Sequence, residues 1–308
     1  MKKKLTIIIP HYNSPHMLDE QLSSIFSECD PDETQVIVVD DKSDKEREYF
    51  KTLQEKYPKA VFYPNTLELK GIGVARNIGL SKADSVWILF ADADDLMAEG
   101  WYEKVKKHFT DTADMIFFPP AGFIDETYEP SKRGLQFAER VRKYLEDPCS
   151  YNEDRLRFRT DVVMSKMIRL EMIRKNAIDF EDILHWEDRL FSAKCGLYAE
   201  TITADPAVIY RLREWPWSVT GRKSEEDLYQ KCVEECIWYR YMKAHLSAER
   251  FGQLKPAYHV WRTFRISSAC FSCKTKCRVI ALFVKFRIPF YPMFATLKKK
   301  LKKGKNDR

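Results

Sequence analysis

A chain of 308 residues with 52 Lys+Arg against 46 Asp+Glu, 44% hydrophobic residues, 10 Gly, 14 Pro and a mean hydropathy of -0.46 has the make-up of one large globular domain or two modest ones, and it excludes collagen-like, disulfide-stapled and disordered classes. The net charge of +6 is unevenly spread: residues 270–308 hold 12 bases and one acid, a local +11, which leaves -5 on residues 1–269. The longest apolar-looking stretch, Val279 to Leu297, is broken by Lys285, Arg287, Pro289 and Pro292, short of the roughly 18 uninterrupted apolar residues of a spanning helix. Leu5–Ile9 is likewise too short for the roughly 7–15 apolar residues of a secretory signal, so the expectation is a cytoplasmic protein whose eight Cys are reduced thiols.

Taken in chain order, the first 120 residues alternate short apolar runs with amphipathic stretches, the pattern of βαβ units and a mainly parallel sheet. Leu5–Ile9, Gln35–Asp40, Ala60–Tyr63, Val86–Phe90 and Met115–Phe118 read as strands, and their continuous apolar character predicts burial on both faces. Helical spacing links Leu18, Leu22, Ile25 and Phe26, then Tyr49, Phe50 and Leu53, then Trp101, Val105 and Phe109. From Pro119 to Asp161 the chain is polar and Pro-punctuated around one helix-like piece, Leu135–Leu145, and reads as an insertion over one face of the sheet. Val162–Ile168, a helix near Leu170–Lys175, a helix opening around Glu187, and strand-like Thr201–Ala204 and Ala207–Leu212 return to packed structure. After Pro216 the pattern is helical, ending in an aromatic and basic tail, which divides the chain into an α/β domain over 1–220 and a helical extension over 221–308.

In an open parallel sheet, ligands sit outside the carboxyl ends of the strands. Three polar clusters fall there: Pro10-His11-Tyr12-Asn13, Asp40-Asp41-Lys42-Ser43 and Asp92-Ala93-Asp94-Asp95. The last is the most telling, because hard divalent cations take carboxylate oxygens, and acids bunched at one strand end can hold Mg2+ or Mn2+ against a diphosphate.

The succession Pro10-x-Tyr12-Asn13, Val39-Asp40-Asp41-x-Ser43, Gly73-x-x-x-Arg76-Asn77-x-Gly79, Asp92-x-Asp94-Asp95 and Glu187-Asp188 resembles the inverting nucleotide-sugar glycosyltransferases of family 2, with the GT-A fold, over residues 4 to about 220. The resemblance implies a Rossmann-like α/β architecture, a mainly parallel sheet with helices on both faces, followed here by a helical extension. It implies that Pro10, Tyr12 and Asn13 border the base pocket and that Asp41 accepts a hydrogen bond from the base, an imide N–H being a donor. Arg76 and Asn77 would lie near phosphate and sugar. Asp94 and Asp95 would stand nearest the metal, Mn2+ or Mg2+, with Asp92 supporting, and Asp188 would be the base that takes the acceptor's proton. Tyr210, Arg211, Arg213, Trp215, Trp217 and Ser218 resemble the loop that folds over the diphosphate, with Arg213 or Arg211 in contact; His185 reads as an acceptor-site neighbour or a surface residue.

Cys270, Cys273 and Cys277 follow the i, i+3, i+7 core stripe of a helix and lack the paired knuckles of a zinc ribbon. Residues 279–303 interleave Phe, Ile, Tyr, Met and Leu with Lys and Arg, as in a segment lying on an anionic bilayer, and no nucleic-acid motif accompanies them. The expectation is a peripheral enzyme at the inner membrane face, moving a sugar from a nucleotide donor, UDP-linked, to a glycan or lipid-linked acceptor in cell-surface polysaccharide synthesis. Its alternatives are a sugar-nucleotide-binding adaptor that has kept the fold without catalysis, and a metal-dependent phosphatase, disfavoured by Leu96 where that class has Thr or Val.

Overall fold

The computed structural model describes residues 2–181, 187–215 and 224–291, so His185, Trp217, Ser218 and residues 292–303 of the expectations above lie outside it. The chain divides into two compact units, residues 1–218 and 219–308.

The first unit opens with β1 (Lys3–His11), α1 (Pro15–Phe26), β2 (Thr34–Asp40), α2 (Arg47–Lys56), β3 (Ala60–Pro64), α3 (Ile72–Lys82) and β4 (Ser85–Phe90). It continues through β5 (Leu96–Met97), α4 (Trp101–Lys106), β6 (Met115–Phe117), β7 (Ala121–Ile124), β8 (Pro130–Ser131), α5 (Leu135–Glu146) and α6 (Ser150–Arg159). It closes with β9 (Lys166–Arg169), α7 (Leu170–Lys175), α8 (Asp188–Tyr198), β10 (Ile202–Ala204) and β11 (Tyr210–Glu214). Seven strands form one sheet in the order β10-β6-β9-β4-β1-β2-β3, in which β9 alone runs against its neighbours.

The apolar runs explain the sheet's interior. Leu5, Ile7, Ile8 and Ile9 of β1 and Ile37, Val38 and Val39 of β2 have no exposed surface, as expected of strands covered on both sides. β3 departs from that expectation: it is the edge strand, and Val61 is 40% exposed. The stretch 119–161 is more than a flap. Its β7 pairs in parallel with β11, ninety residues on, inside a second sheet of order β5-β11-β7-β8, so the insertion and the strand after β10 are one structure. Pairing with β5 starts β11 at Tyr210, three residues later than the apolar run suggests.

α3 lies directly on β1 and β2, and Gly79 makes the approach possible: a Cβ there would sit 2.4 Å from Ile8 Cγ2. Close helix packing is therefore the task of this glycine.

The second unit contains α9 (Glu225–His245), α10 (Ala248–Leu254), α11 (Pro256–Ser267) and α12 (Cys273–Lys285). Ser224 caps α9 in a capping box with Asp227, and Ser247 and Ser272 cap α10 and α12 through their hydroxyls. Trp261 meets Phe283 edge-on at 4.8 Å, and the buried Glu235 accepts from Thr263 Oγ1 at 2.8 Å and pairs with His259 Nδ1 at 2.9 Å. The cysteine stripe is a correction: α12 buries Thr275, Val279 and Phe283, while Cys270, Cys273 and Cys277 are exposed. Val279 and Phe283 offer more apolar surface than two thiols, and they set which face turns inward. Among the described residues no helix is long and apolar enough to cross a membrane.

Replacing Gly79 with Ala drives a methyl into Ile8, so despite the gain in helix propensity the variant is expected to lose about 1–3 kcal/mol in urea unfolding.

Candidate active site

The ends of β1 and β2 are clipped together before any ligand is considered. His11, 2% exposed and stacked on Phe50 at 4.7 Å, accepts the Ser14 N–H at Nε2, which leaves Nδ1–H to donate to Asp40 Oδ1 at 3.0 Å. Burial raises the Asp40 carboxyl, but hydrogen bonds from His11 and Ser43 outweigh it and hold the group below its ordinary range. Asn13, with φ 53°, accepts the N–H groups of Asp44 and Lys45 at Oδ1 and donates to the Asp44 carboxylate, while its own N–H donates to Ser43 Oγ. Its polar atoms thus join two strand-end loops. Asp41 is buried and accepts from Asn65 Nδ2 at 2.6 Å and from the Gly71 N–H at 2.9 Å. Beside it Pro10 is buried within β1, and Tyr12, 45% exposed, presents its ring to Lys70, whose Nζ stands 3.4 Å from the centroid.

The centre of the site is Arg76. This residue of α3 is 2% exposed and donates through Nη2 to Asp92 Oδ1 at 2.8 Å and through Nη1 to Glu187 Oε1 at 2.5 Å, with its guanidinium 5.3 Å from the Phe180 ring. Burial opposes its charge, but Asp92, Glu187 and Asp188 outweigh that and raise its pKa. Gly73 lets Glu187 reach it, since a Cβ there would lie 2.8 Å from Glu187 Cγ. Asn77, one position on, exchanges two 2.9 Å hydrogen bonds with the Phe180 main chain and so spends its amide on holding that segment.

Asp92, Asp94 and Asp95 each offer a carboxylate oxygen within 4.8 Å of the others, and among the described residues they are the one cluster suited to a metal ion. Asp95 is 1% exposed, and its Oδ2 is buried without a hydrogen-bond partner. Burial and the neighbouring acids push the Asp95 carboxyl well above its ordinary range, and Asp94 up in the same sense. A crowded set of hard oxygens, one of them unpartnered, fits a divalent cation.

Next to Glu187 stands Asp188, the first residue of α8, its side chain partly accessible. Burial first, then the charges of Glu187, Asp161 and Asp92, push its carboxyl up to about 7 against the pull of Arg76. Lys166, 1% exposed, donates to the Thr160 carbonyl at 2.8 Å and to Ser192 Oγ at 3.3 Å, and burial pulls its ammonium down to about 8.

The Arg213 guanidinium on β11 is taken up by protein groups. Arg213, 1% exposed, donates to Glu20 Oε2 at 2.6 Å, to the Asp125 carboxylate and to the Asp94 carbonyl, so all three guanidinium nitrogens hold protein groups. Its main-chain N–H donates to Asp95 Oδ1 at 2.8 Å. Arg211 lies over the Phe123 ring at 4.6 Å. The cation whose charge offsets Asp94 and Asp95 is instead Arg133, which donates to the Arg213 carbonyl. Sequence reasoning missed it. The available signal was Lys132-Arg133-Gly134 before a helix, with Gly134 at φ 83° and Gly122 making room for the Arg133 main chain 2.5 Å from where a Cβ would be. Tyr210 was also undervalued: fully buried, its hydroxyl accepts the Asp92 N–H at 2.8 Å.

Comparison with known proteins is consistent with this geometry. The model of the family described as glycosyl transferase family 2 matches residues 6–172. TarS of Staphylococcus aureus, a poly(ribitol-phosphate) beta-N-acetylglucosaminyltransferase, is 28% identical over 250 residues, covering 74% of this chain and 39% of that protein. Residues 1–349 of S. aureus TarS in complex with UDP-GlcNAc share the GT-A fold at TM-score 0.66 and 19% identity, over 95% of this chain and 83% of that one. The mannosyltransferase PcManGT from Pyrobaculum calidifontis, in complex with GDP-Man and Mn2+, aligns at TM-score 0.58 and 17% identity over 97% of this chain and 87% of that one. The chain spans 12–39% of the length of three curated relatives of the teichoic acid type.

Replacing Arg76 with Leu leaves Asp92 and Glu187 without their counter-charge, and urea unfolding is expected to report a loss of about 3–5 kcal/mol.

Proposed function

The chain belongs to glycosyl transferase family 2 and is a glycosyltransferase, and on that premise we propose that it moves one sugar, with inversion, from a UDP-linked donor to a glycan or lipid-linked acceptor of a cell-surface polymer. Family membership displaces the phosphatase alternative. The observation that carries the reading is the Arg76 guanidinium shared by Asp92 and Glu187, which brings the aspartate cluster and the Glu-Asp pair within one side chain of each other. The UDP-GlcNAc complex of TarS supports the donor class, and the poly(ribitol-phosphate) specificity in that relative's name supports an acceptor of the teichoic type.

In this reading the base rests between Pro10 and Tyr12, with Asp41 positioned to accept from its imide. Asp94 and Asp95, with Asp92, would hold Mn2+ or Mg2+, which supplies positive charge to the departing nucleoside diphosphate. Arg133 adds a second positive charge on that side. The acceptor oxygen attacks the anomeric carbon as its bond to the diphosphate oxygen breaks, and the acceptor's proton passes to the Asp188 carboxylate. Glu187, neutralised by Arg76, is the counter-ion rather than the base. The same reading sets the enzyme at the cytoplasmic face of the membrane, with residues 279–303 as its contact.

Asp188 must be ionised to accept the proton, and its raised pKa dictates the sign: kcat/KM is expected to rise with pH through about 7 and level off above it. Asp188→Asn should abolish turnover while UDP binding persists, and an adaptor would keep its function in that variant. Calorimetric titration of UDP should give binding that strengthens with Mn2+ and loses that dependence in Asp94→Asn. Absence of UDP binding with and without metal would overturn the donor assignment.

A further inference from the structure

From residue 250 to residue 306 the chain carries 15 Lys and Arg and no Asp or Glu. Within this stretch α12 has two unlike faces. Thr275, Val279 and Phe283 are buried, whereas Cys273, Cys277, Ala281 and Val284 are all exposed, and steps of four, four and three place them in one outward stripe. Val284 is 64% exposed, the largest value among the exposed large hydrophobic residues of the described chain. Lys274 and Lys285 flank the stripe on one side and Lys276 on the other, all exposed. Among the described residues, Arg278 is the one base of α12 held in an ion pair, with Glu226. The neighbouring α11 turns Ile266, 62% exposed, and Tyr258, 41% exposed, outward beside Arg262 and Arg265, and Tyr258 meets the exposed Tyr291 ring at 5.4 Å.

We propose that the outward face of α12, centred on Val284 and flanked by Lys274, Lys276 and Lys285, is the surface on which the protein lies against an anionic lipid bilayer. This rests on the membrane reading above and narrows it from a composition to a face. A narrow apolar stripe between lysines is the pattern of an interfacial helix: the aliphatic groups enter the headgroup boundary and the ammonium groups meet anionic headgroups. A soluble polyanion would be met by the lysines alone and would leave Val284 without a role. The absence of acids over this stretch suits a uniformly negative surface better than a protein partner of mixed charge.

The test is co-sedimentation of the full chain with phosphatidylcholine vesicles, with and without phosphatidylglycerol. The wild-type chain should bind the anionic vesicles and be released by salt. Lys274→Gln/Lys285→Gln should bind about 25-fold more weakly, fivefold per charge. Val284→Asp should weaken binding about tenfold and Val284→Trp should strengthen it, while Leu145→Asp on α5, also exposed, changes nothing; an unaltered far-UV circular dichroism spectrum and urea unfolding midpoint in each variant report that it is folded. Wild-type binding unaffected by the lysine and Val284 variants would overturn the α12 face while sparing the membrane reading. Loss in the lysine variant without any response at Val284 would make this a soluble-polyanion surface and overturn the proposal. Failure of the wild-type chain to prefer anionic vesicles would overturn both.

Discussion

The site depends on one buried cation. Taking a guanidinium out of water costs several kcal/mol unless it is paired, and Arg76 pairs its two Nη atoms with carboxylates from segments far apart in sequence beside the ring of Phe180, while its Nε stays buried without a hydrogen-bond partner. The converse matters equally: Asp92 and Glu187 are tolerated side by side because a cation lies between them. α3 therefore decides where the aspartate cluster and the start of α8 stand relative to each other. Its other residues serve the same end, since Gly73 admits the Glu187 side chain, Asn77 fastens the Phe180 main chain and Gly79 seats the helix on β1.

The aspartate cluster is fixed from its opposite side by β11. Tyr210 receives the Asp92 N–H, the Arg213 main chain donates to Asp95, the Arg213 side chain donates to the Asp94 carbonyl, and Trp215 donates to Asp94 Oδ2 at 3.4 Å. These bonds hold the cluster in place, and burial together with the mutual repulsion of the acids raises the pKa values of Asp94 and Asp95. The fold thus bears the unfavourable energy of assembling like charges in advance. A divalent cation entering such a site gains electrostatically without having to gather its ligands, which is what preorganisation contributes to both binding and rate.

Much of this was legible in the sequence because it is local. Strands with continuous apolar runs, polar residues immediately after them, and acids one or two residues apart are all visible within ten residues, and β1, β2, β4, β6 and the aspartate cluster stand where those patterns place them. What was not legible has partners far away. The roles of Asn13 and Asn77 depend on loops 31 and 103 residues distant, and that of Arg213 on Glu20, 193 residues distant. A polar residue type at the right offset says that a hydrogen bond will be made; whether the partner is a ligand or another loop is decided by topology. The cysteine stripe failed for a related reason: helical spacing selects several possible faces, and the one carrying Val279 and Phe283 buries more apolar surface.

The adjacent acids Glu187 and Asp188 show how far one guanidinium reaches. Both lie at the start of α8, where the helix dipole favours negative charge, with Glu187 buried and Asp188 partly accessible, and the hydrogen bond from Arg76 goes to Glu187 alone. Glu187 pairs with that cation through Oε1, although burial still holds its carboxyl above the ordinary range. Burial first, and then the repulsion of its neighbour against a more distant positive field, push the Asp188 carboxyl up to about 7. A carboxylate left at its usual pKa would be a poor proton acceptor, whereas one raised toward neutrality is both ionised in useful amount and basic enough to take a hydroxyl proton as that hydroxyl attacks. The difference between two neighbouring residues of nearly the same chemistry follows in part from which of them the buried cation can touch.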